Sequence, residues 1–194
     1  VKKLIASIAV PLLALSLHAG DWKTQSLVAV EGGVSSFDLN NNIGRPSDSQ
    51  SPASIGLKIG AEAQTYRIFL GGRTYSVNDQ FDYANSFGAE LQYLFRFSSH
   101  FNLFAGINVG IINMEFDDSA GQVREISQGY AGGDIGVNFS LNHNFDIEAG
   151  VRYMNLNAEN TRYVDDGTGT KIPYTYDIDN IVTTYVSLIY KFKI

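Results

Sequence analysis

Side chains suited to catalysis are scarce in this chain of 194 residues. It has no cysteine, which excludes thiol nucleophiles, Cys-ligated zinc or iron–sulfur sites and any disulfide framework. Its three histidines are His18, His100 and His143. His18 ends an apolar N-terminal run, and the other two sit in short polar clusters, Ser98-Ser99-His100 and Asn142-His143-Asn144, that read as tight turns. A Ser or Asp nucleophile would have no base placed to activate it, so the chain reads as a non-enzyme. Asp165-Asp166-Gly167-Thr168-Gly169 offers oxygen ligands to calcium but lacks the spaced acidic ladder of a dedicated loop. It is read as a solvated turn, and no metal or cofactor is expected. What remains is a set of charges of both signs recurring at alternate positions: Glu31, Lys58, Glu62, Arg67, Arg73, Glu90, Arg96, Asp134, Asp146, Glu148 and Arg152. Mixed signs at that spacing suit ion pairing between strands rather than turnover.

The elements that position those charges follow from the periodicity. From Ser26 onward the chain alternates apolar and polar residues in segments of about ten, the period of a strand. Eight segments result: 27–37, 53–64, 66–75, 86–97, 101–114, 130–141, 145–154 and 181–194. In the second, Ile55, Leu57, Ile59, Ala61 and Ala63 oppose Gly56, Lys58, Gly60 and Glu62; in the seventh, Phe145, Ile147, Ala149, Val151 and Tyr153 oppose Asp146, Glu148, Gly150 and Arg152. Once the apolar face is chosen in each segment, every charge falls on the other one, Lys191 and Lys193 included. Composition agrees with an all-β chain: 12 Phe and 11 Tyr beside a single Trp, with 19 Gly and 4 Pro. A net charge of −6 with no basic run argues against a nucleic-acid partner.

Residues 1–19 form a unit of their own. Lys2 and Lys3 precede an apolar run from Leu4 to Leu17 and a small residue at Ala19, the layout of a secretory signal peptide. The run, interrupted by Pro11, is too short to cross a bilayer as a helix. Cleavage after Ala19 is expected to leave 12 basic against 20 acidic residues, a net charge of −8 on a single domain at 20–194. The last segment runs to the C-terminus, so no appended domain is expected.

Three features place lipid against the apolar face. The charged face carries many glycines, among them Gly56, Gly60, Gly71, Gly88, Gly106 and Gly110, which would leave a solvated exterior bare but make room in a narrow lumen for Arg and Lys side chains. Aromatics bunch near the ends of the apolar face, as membrane-interface girdles do: Tyr66, Phe95, Phe101, Phe139, Phe145, Tyr190 and Phe192 at one rim, Phe87 and Tyr153 near the other. Connections alternate between short turns, near 64–65, 98–100 and 142–144, and long acidic ones at 38–52, 77–85, 115–128 and 155–180. Short turns inside and long loops outside is the outer-membrane arrangement. The expected fold is therefore an all-β, eight-stranded antiparallel transmembrane β-barrel with four long extracellular loops and three short periplasmic turns.

In this pattern the sequence resembles the small outer-membrane barrels of Gram-negative bacteria, of the kind formed by the OmpA transmembrane domain and OmpX. The resemblance covers essentially the whole mature chain and rests on pattern rather than a fingerprint. It implies residence in the outer membrane among phospholipid and lipopolysaccharide, with periplasmic chaperones and the barrel-assembly machinery as partners during biogenesis. Tyr190, Phe192 and Ile194 match the C-terminal assembly signal, with Ile194 where the family usually ends in Phe. Such barrels are thought to hold a lumenal salt-bridge network, for which Glu62, Arg67, Glu90, Arg96, Asp134 and Arg152 are the candidates. The peptidoglycan-binding domain of OmpA has no counterpart in the sequence, so no cell-wall tether is implied. Barrel enzymes of this membrane use a histidine at the extracellular end, whereas His100 and His143 fall in the short turns. The expected role is structural, with loops available for adhesion or recognition of an unidentified surface ligand. A narrow channel for ions or small solutes is the alternative, and a soluble lipocalin-like carrier with its charged face outward is a third.

Overall fold

The computed structural model describes residues 24–41, 48–76, 81–117, 123–165, 168 and 170–193. The expected leader at 1–19, Ile194 and most of the Asp165–Gly169 turn lie outside them. Nine strands follow one another: β1 (Thr24–Asn41), β2 (Asp48–Gln50), β3 (Ala53–Ala63), β4 (Tyr66–Tyr75), β5 (Phe81–Arg96), β6 (Phe101–Asp117), β7 (Val123–Ser140), β8 (Phe145–Asp165) and β9 (Lys171–Phe192). Each pairs antiparallel with its neighbour, and β1 pairs with β9 to close the sheet. β2 and β3 form one stave, because both continue the same register against β1. Pro52, which has no N–H to give to a ladder, interrupts it. The barrel thus has the eight staves that the alternation requires.

Register fixes its dimensions. Stepping through paired residues from Ser26 to Ala61, Ile68, Leu91, Ile107, Gly133, Tyr153 and Val182 returns to β1 at Ser36, ten residues on. Eight strands with that stagger tilt by about 40° around a backbone cylinder of roughly 8 Å radius. So narrow a bore has room for side chains and little else. The three tight connections fall at Gln64–Thr65, 97–100 and 141–144. Gln64 adopts a left-handed φ of 52° to reverse the chain in two residues.

Closure sends the two faces to different solvents. Val30, Leu57, Ile59, Ile107, Val109, Ile135 and Val186 stand exposed on the outer wall, while Glu31, Lys58, Arg67, Glu90, Glu148 and Arg152 are buried in the bore. A charge-outward carrier is thereby overturned. An aromatic band rings the wall near the tight turns: Tyr66 meets Tyr93 edge to face at 5.1 Å, Tyr93 meets Phe95 at 4.8 Å, and Tyr190 lies 5.1 Å from Phe145 and 5.7 Å from Phe192. On β6 the apolar outer wall runs from Phe101 to Ile111, about 25 Å measured along the axis, the height of a hydrocarbon belt.

Much of what the alternation assigns to long loops is strand. β6 and β7 stay paired up to Asp117 and Val123, and β8 and β9 up to Asp165 and Lys171. Between β7 and β8, however, the ladder among the described residues stops at Ala131 and Asn155. Above that level the described residues form two paired groups, β5–β6–β7 and β8–β9–β1–β2. Inward side chains from both groups, including Ile112, Met114, Ile126, Met154, Leu156 and Ile178, pack into one apolar cluster. Among the described residues, this end is joined between β7 and β8 by hydrophobic contact rather than by backbone pairing.

Candidate functional site in the barrel interior

Below the apolar cluster lies a layer of charges. Glu31 of β1 is its hub. Lys58 Nζ lies 3.0 Å from its Oε2, Arg73 Nε donates to Oε1 at 2.7 Å, and Arg152 donates to both oxygens at 2.7 and 3.0 Å. Glu90 of β5 also takes Arg152 at 2.8 Å, Lys58 at 3.5 Å and Arg73. Glu148 continues the layer, with Lys58 at 3.6 Å and Arg67 at 3.4 Å. Arg67 then reaches down to Glu62 at 2.7 Å and Asp146 at 2.6 Å, and Lys191 closes on Asp146 at 2.7 Å. Every one of these side chains projects inward because strand alternation leaves it no other direction. Paired and hydrogen-bonded, the charges offset the desolvation that isolated ions would suffer there.

Aromatic rings complete the layer. Arg152 lies over the Tyr185 ring at 4.4 Å, and Lys58 sits 4.9 Å from the Phe69 centroid and 5.3 Å from that of Tyr185. Alternation puts Phe69, Phe104 and Tyr185 on the inner face, but their part in holding cations and filling volume shows only in three dimensions. The inner glycines are seats for large neighbours. A Cβ on Gly56 would come 2.8 Å from Arg73 Cγ, one on Gly71 2.8 Å from Lys58 Cγ, one on Gly60 2.7 Å from Phe69, and one on Gly110 2.6 Å from the Tyr130 ring.

Two of the network candidates stand apart. Arg96 is at the rim, its side chain 51% exposed, and binds Glu62 at 3.1 Å and the carbonyl of Gln64. Strand β5 ends at Arg96, which carries the side chain past the bore. Asp134 is buried yet has no cation within 4.0 Å among the described residues; its register partner Arg152 turns toward Glu31 and Glu90 instead. Gln92 Nε2 donates to Asp134 at 3.0 Å, and the Tyr185 hydroxyl lies 3.4 Å from it.

At the tight-turn end the bore opens into a polar vestibule of about 550 Å³ lined by Glu62, Arg67, Arg96, Asp146, Lys191 and Lys193, with His143 at its edge. His100 is held in its turn by Ser99, whose hydroxyl lies 2.8 Å from the imidazole Nδ1. Both histidines therefore sit at this end. No group of three or more His, Cys, Asp or Glu is arranged to hold a metal ion among the described residues.

Comparison with known proteins agrees with this architecture. The fold is similar to that of OprG from Pseudomonas aeruginosa, with a TM-score of 0.59 and 16% identity over 87% of this chain and 97% of that one. OprH from the same organism gives 0.56 and 20% over 87% and 99%, and Neisserial surface protein A gives 0.54 and 18% over 82% and 96%. No curated protein matches the sequence. Residues 7–192 match the family described as outer membrane protein beta-barrel domain. With nearly the whole sequence covered, the chain belongs to that family and is a protein of the Gram-negative outer membrane.

Proposed function

We propose that the protein is a closed structural barrel that anchors in the outer membrane and presents its wide, two-sheeted end at the cell surface, with the tight turns toward the periplasm. The observation that carries this reading is the filled bore: an ion-paired layer stacked beneath an apolar layer. Ions meet fixed charges in the first layer and a predominantly apolar packing of side chains in the second. The paired hairpins β6–β7 and β8–β9 supply a rigid base for loops that contact adhesive or recognition partners. On this reading residues 1–19 are a leader removed on export, and lipopolysaccharide packs against the outer wall. Tyr190 and Phe192, stacked on the outer face of the last strand, present the signal taken up by the assembly machinery. The test is planar-bilayer recording on the refolded full-length barrel. Electrical silence is expected; discrete, reproducible conductance steps would overturn the reading in favour of a narrow channel.

A further inference from the structure

We propose that the β5–β7 wall of the bore holds a monovalent cation at Asp134. Among the described residues the buried acids of the bore are Glu31, Glu62, Glu90, Asp134, Asp146 and Glu148, against the buried bases Lys58, Arg67, Arg73, Arg152 and Lys191. Five of the acids touch at least one base, and Asp134 is the remainder. The sixth base, Arg96, is at the rim on Glu62 and outside its reach. Asp134 is 2% exposed, and its Oδ1 has no hydrogen-bond partner. A carboxylate so desolvated requires a positive charge or a proton beside it.

Other unpartnered oxygens are carried by neighbouring strands of the same wall. Gln92 spends its amide nitrogen on Asp134 Oδ2 and leaves Oε1 free, and Asn108, one inward position beyond Gly106 on β6, leaves Oδ1 free. Asn102, which lines the vestibule, has a free Oδ1 as well and donates to Asn138 at 3.3 Å. Gly106, the register partner of both Gln92 and Asp134, lets the Asp134 carboxylate lie close against β6: a Cβ there would stand 2.7 Å from Asp134 Oδ1 and 2.8 Å from the Leu91 carbonyl. One carboxylate among neutral amide oxygens suits a singly charged hard cation. A divalent ion needs more anionic ligands, and Glu148, which shares Gln92 and the Tyr185 hydroxyl with Asp134, is already committed to Lys58 and Arg67.

The probes are sodium and thallium(I), applied to the full-length barrel in detergent micelles and in crystals. A ligand bound only by the folded state raises its stability with concentration. The unfolding midpoint is expected to rise by a few degrees in sodium chloride relative to tetramethylammonium chloride at equal ionic strength, and Asp134→Asn is expected to abolish the difference. Thallium-soaked wild-type crystals are expected to show an anomalous peak in the bore beside Asp134, a measurement that stands even where the variant fails to fold. Equal midpoints in the two salts, a sodium response retained by Asp134→Asn, or no thallium peak beside Asp134 overturns the proposal; the first and last are the results expected of a carboxyl that carries a proton instead.

Discussion

Glu31 and Arg152, 121 residues apart in sequence, meet in the bore through two hydrogen bonds of 2.7 and 3.0 Å across the intervening strand β9. The contact exists only when β1 has closed on β9, so it reports closure of the barrel rather than formation of any hairpin. Lys58 and Arg73 converge on the same carboxylate, so Glu31, like Glu90 across the bore, is shared by three buried cations.

Removing that anion leaves an excess of positive charge in a dry space. Glu31→Leu is expected to cost about 3–5 kcal/mol in folding stability, the range for breaking a buried ionic group from one side. Glu31→Leu combined with Arg152→Leu restores the balance of signs and is expected to be more stable than Glu31→Leu alone. Reversible urea unfolding in lipid vesicles, followed by the gel mobility of the folded form, measures both. A double variant weaker than the single one would show that the cluster is not organised by charge balance.

The inner glycines make a second prediction, because their partners differ sharply from those of glycines on the outer wall. At Gly150 a Cβ would fall 2.9 Å from each of the Ile135 carbonyl, Phe104 and the Tyr185 hydroxyl, whereas at Gly32 it would meet nothing within 4 Å. Gly150→Ala is expected to destabilise by about 1–3 kcal/mol through overpacking. Gly32→Ala is expected to be neutral or to stabilise by up to roughly 1 kcal/mol. The same unfolding assay ranks them, and equal effects would mean that the bore has slack around Phe104.

The eight staves were legible because lipid and bore impose one phase of alternation along each belt-crossing segment: Leu57 out and Lys58 in, Ile107 out and Asn108 in. The strands' full length was not, and the reason lies in solvent. Past Ile111 the outer face meets water and the inner face an apolar core, so the pattern reverses: Asn113 and Ser127 point out, joined by a 2.7 Å hydrogen bond, while Ile112, Met114 and Ile126 point in. A reader following one phase sees the strand end where it only changes surroundings. The charged positions were likewise readable as a face, but partner choice was not. Arg152 lies directly opposite Asp134 in register and still turns to Glu31 and Glu90, a choice set by three-dimensional competition among these three acids.

The divided wall leads to a third prediction. With the ladder between β7 and β8 ending at Ala131 and Asn155, β7 above that level is paired on its β6 side and not on its β8 side among the described residues. Amides of 123–130 that face β8 are expected to exchange with solvent deuterons far faster than those of 131–140, although both stretches belong to one continuous strand. Uniform protection along β7 would show that the two sheets are zipped by backbone after all.

Conductance tests the two layers separately. Arg152→Ala removes a guanidinium that bridges Glu31 and Glu90, and in a bore sealed by charge alone that deletion would open a path for ions. Here Met114, Met154, Ile112 and Ile178 lie above the charges with essentially no exposed surface, and an apolar constriction excludes ions by withholding hydration. Arg152→Ala is therefore expected to stay silent in planar bilayers. So is Met154→Ser with Ile178→Ser, because the ion-paired layer persists. Only the triple variant, with a gap in the charged layer and hydroxyls in the apolar one, is expected to pass current. Steps from Arg152→Ala alone would place the whole barrier in the ion pairs and leave the apolar cluster a purely structural clasp between the two sheets.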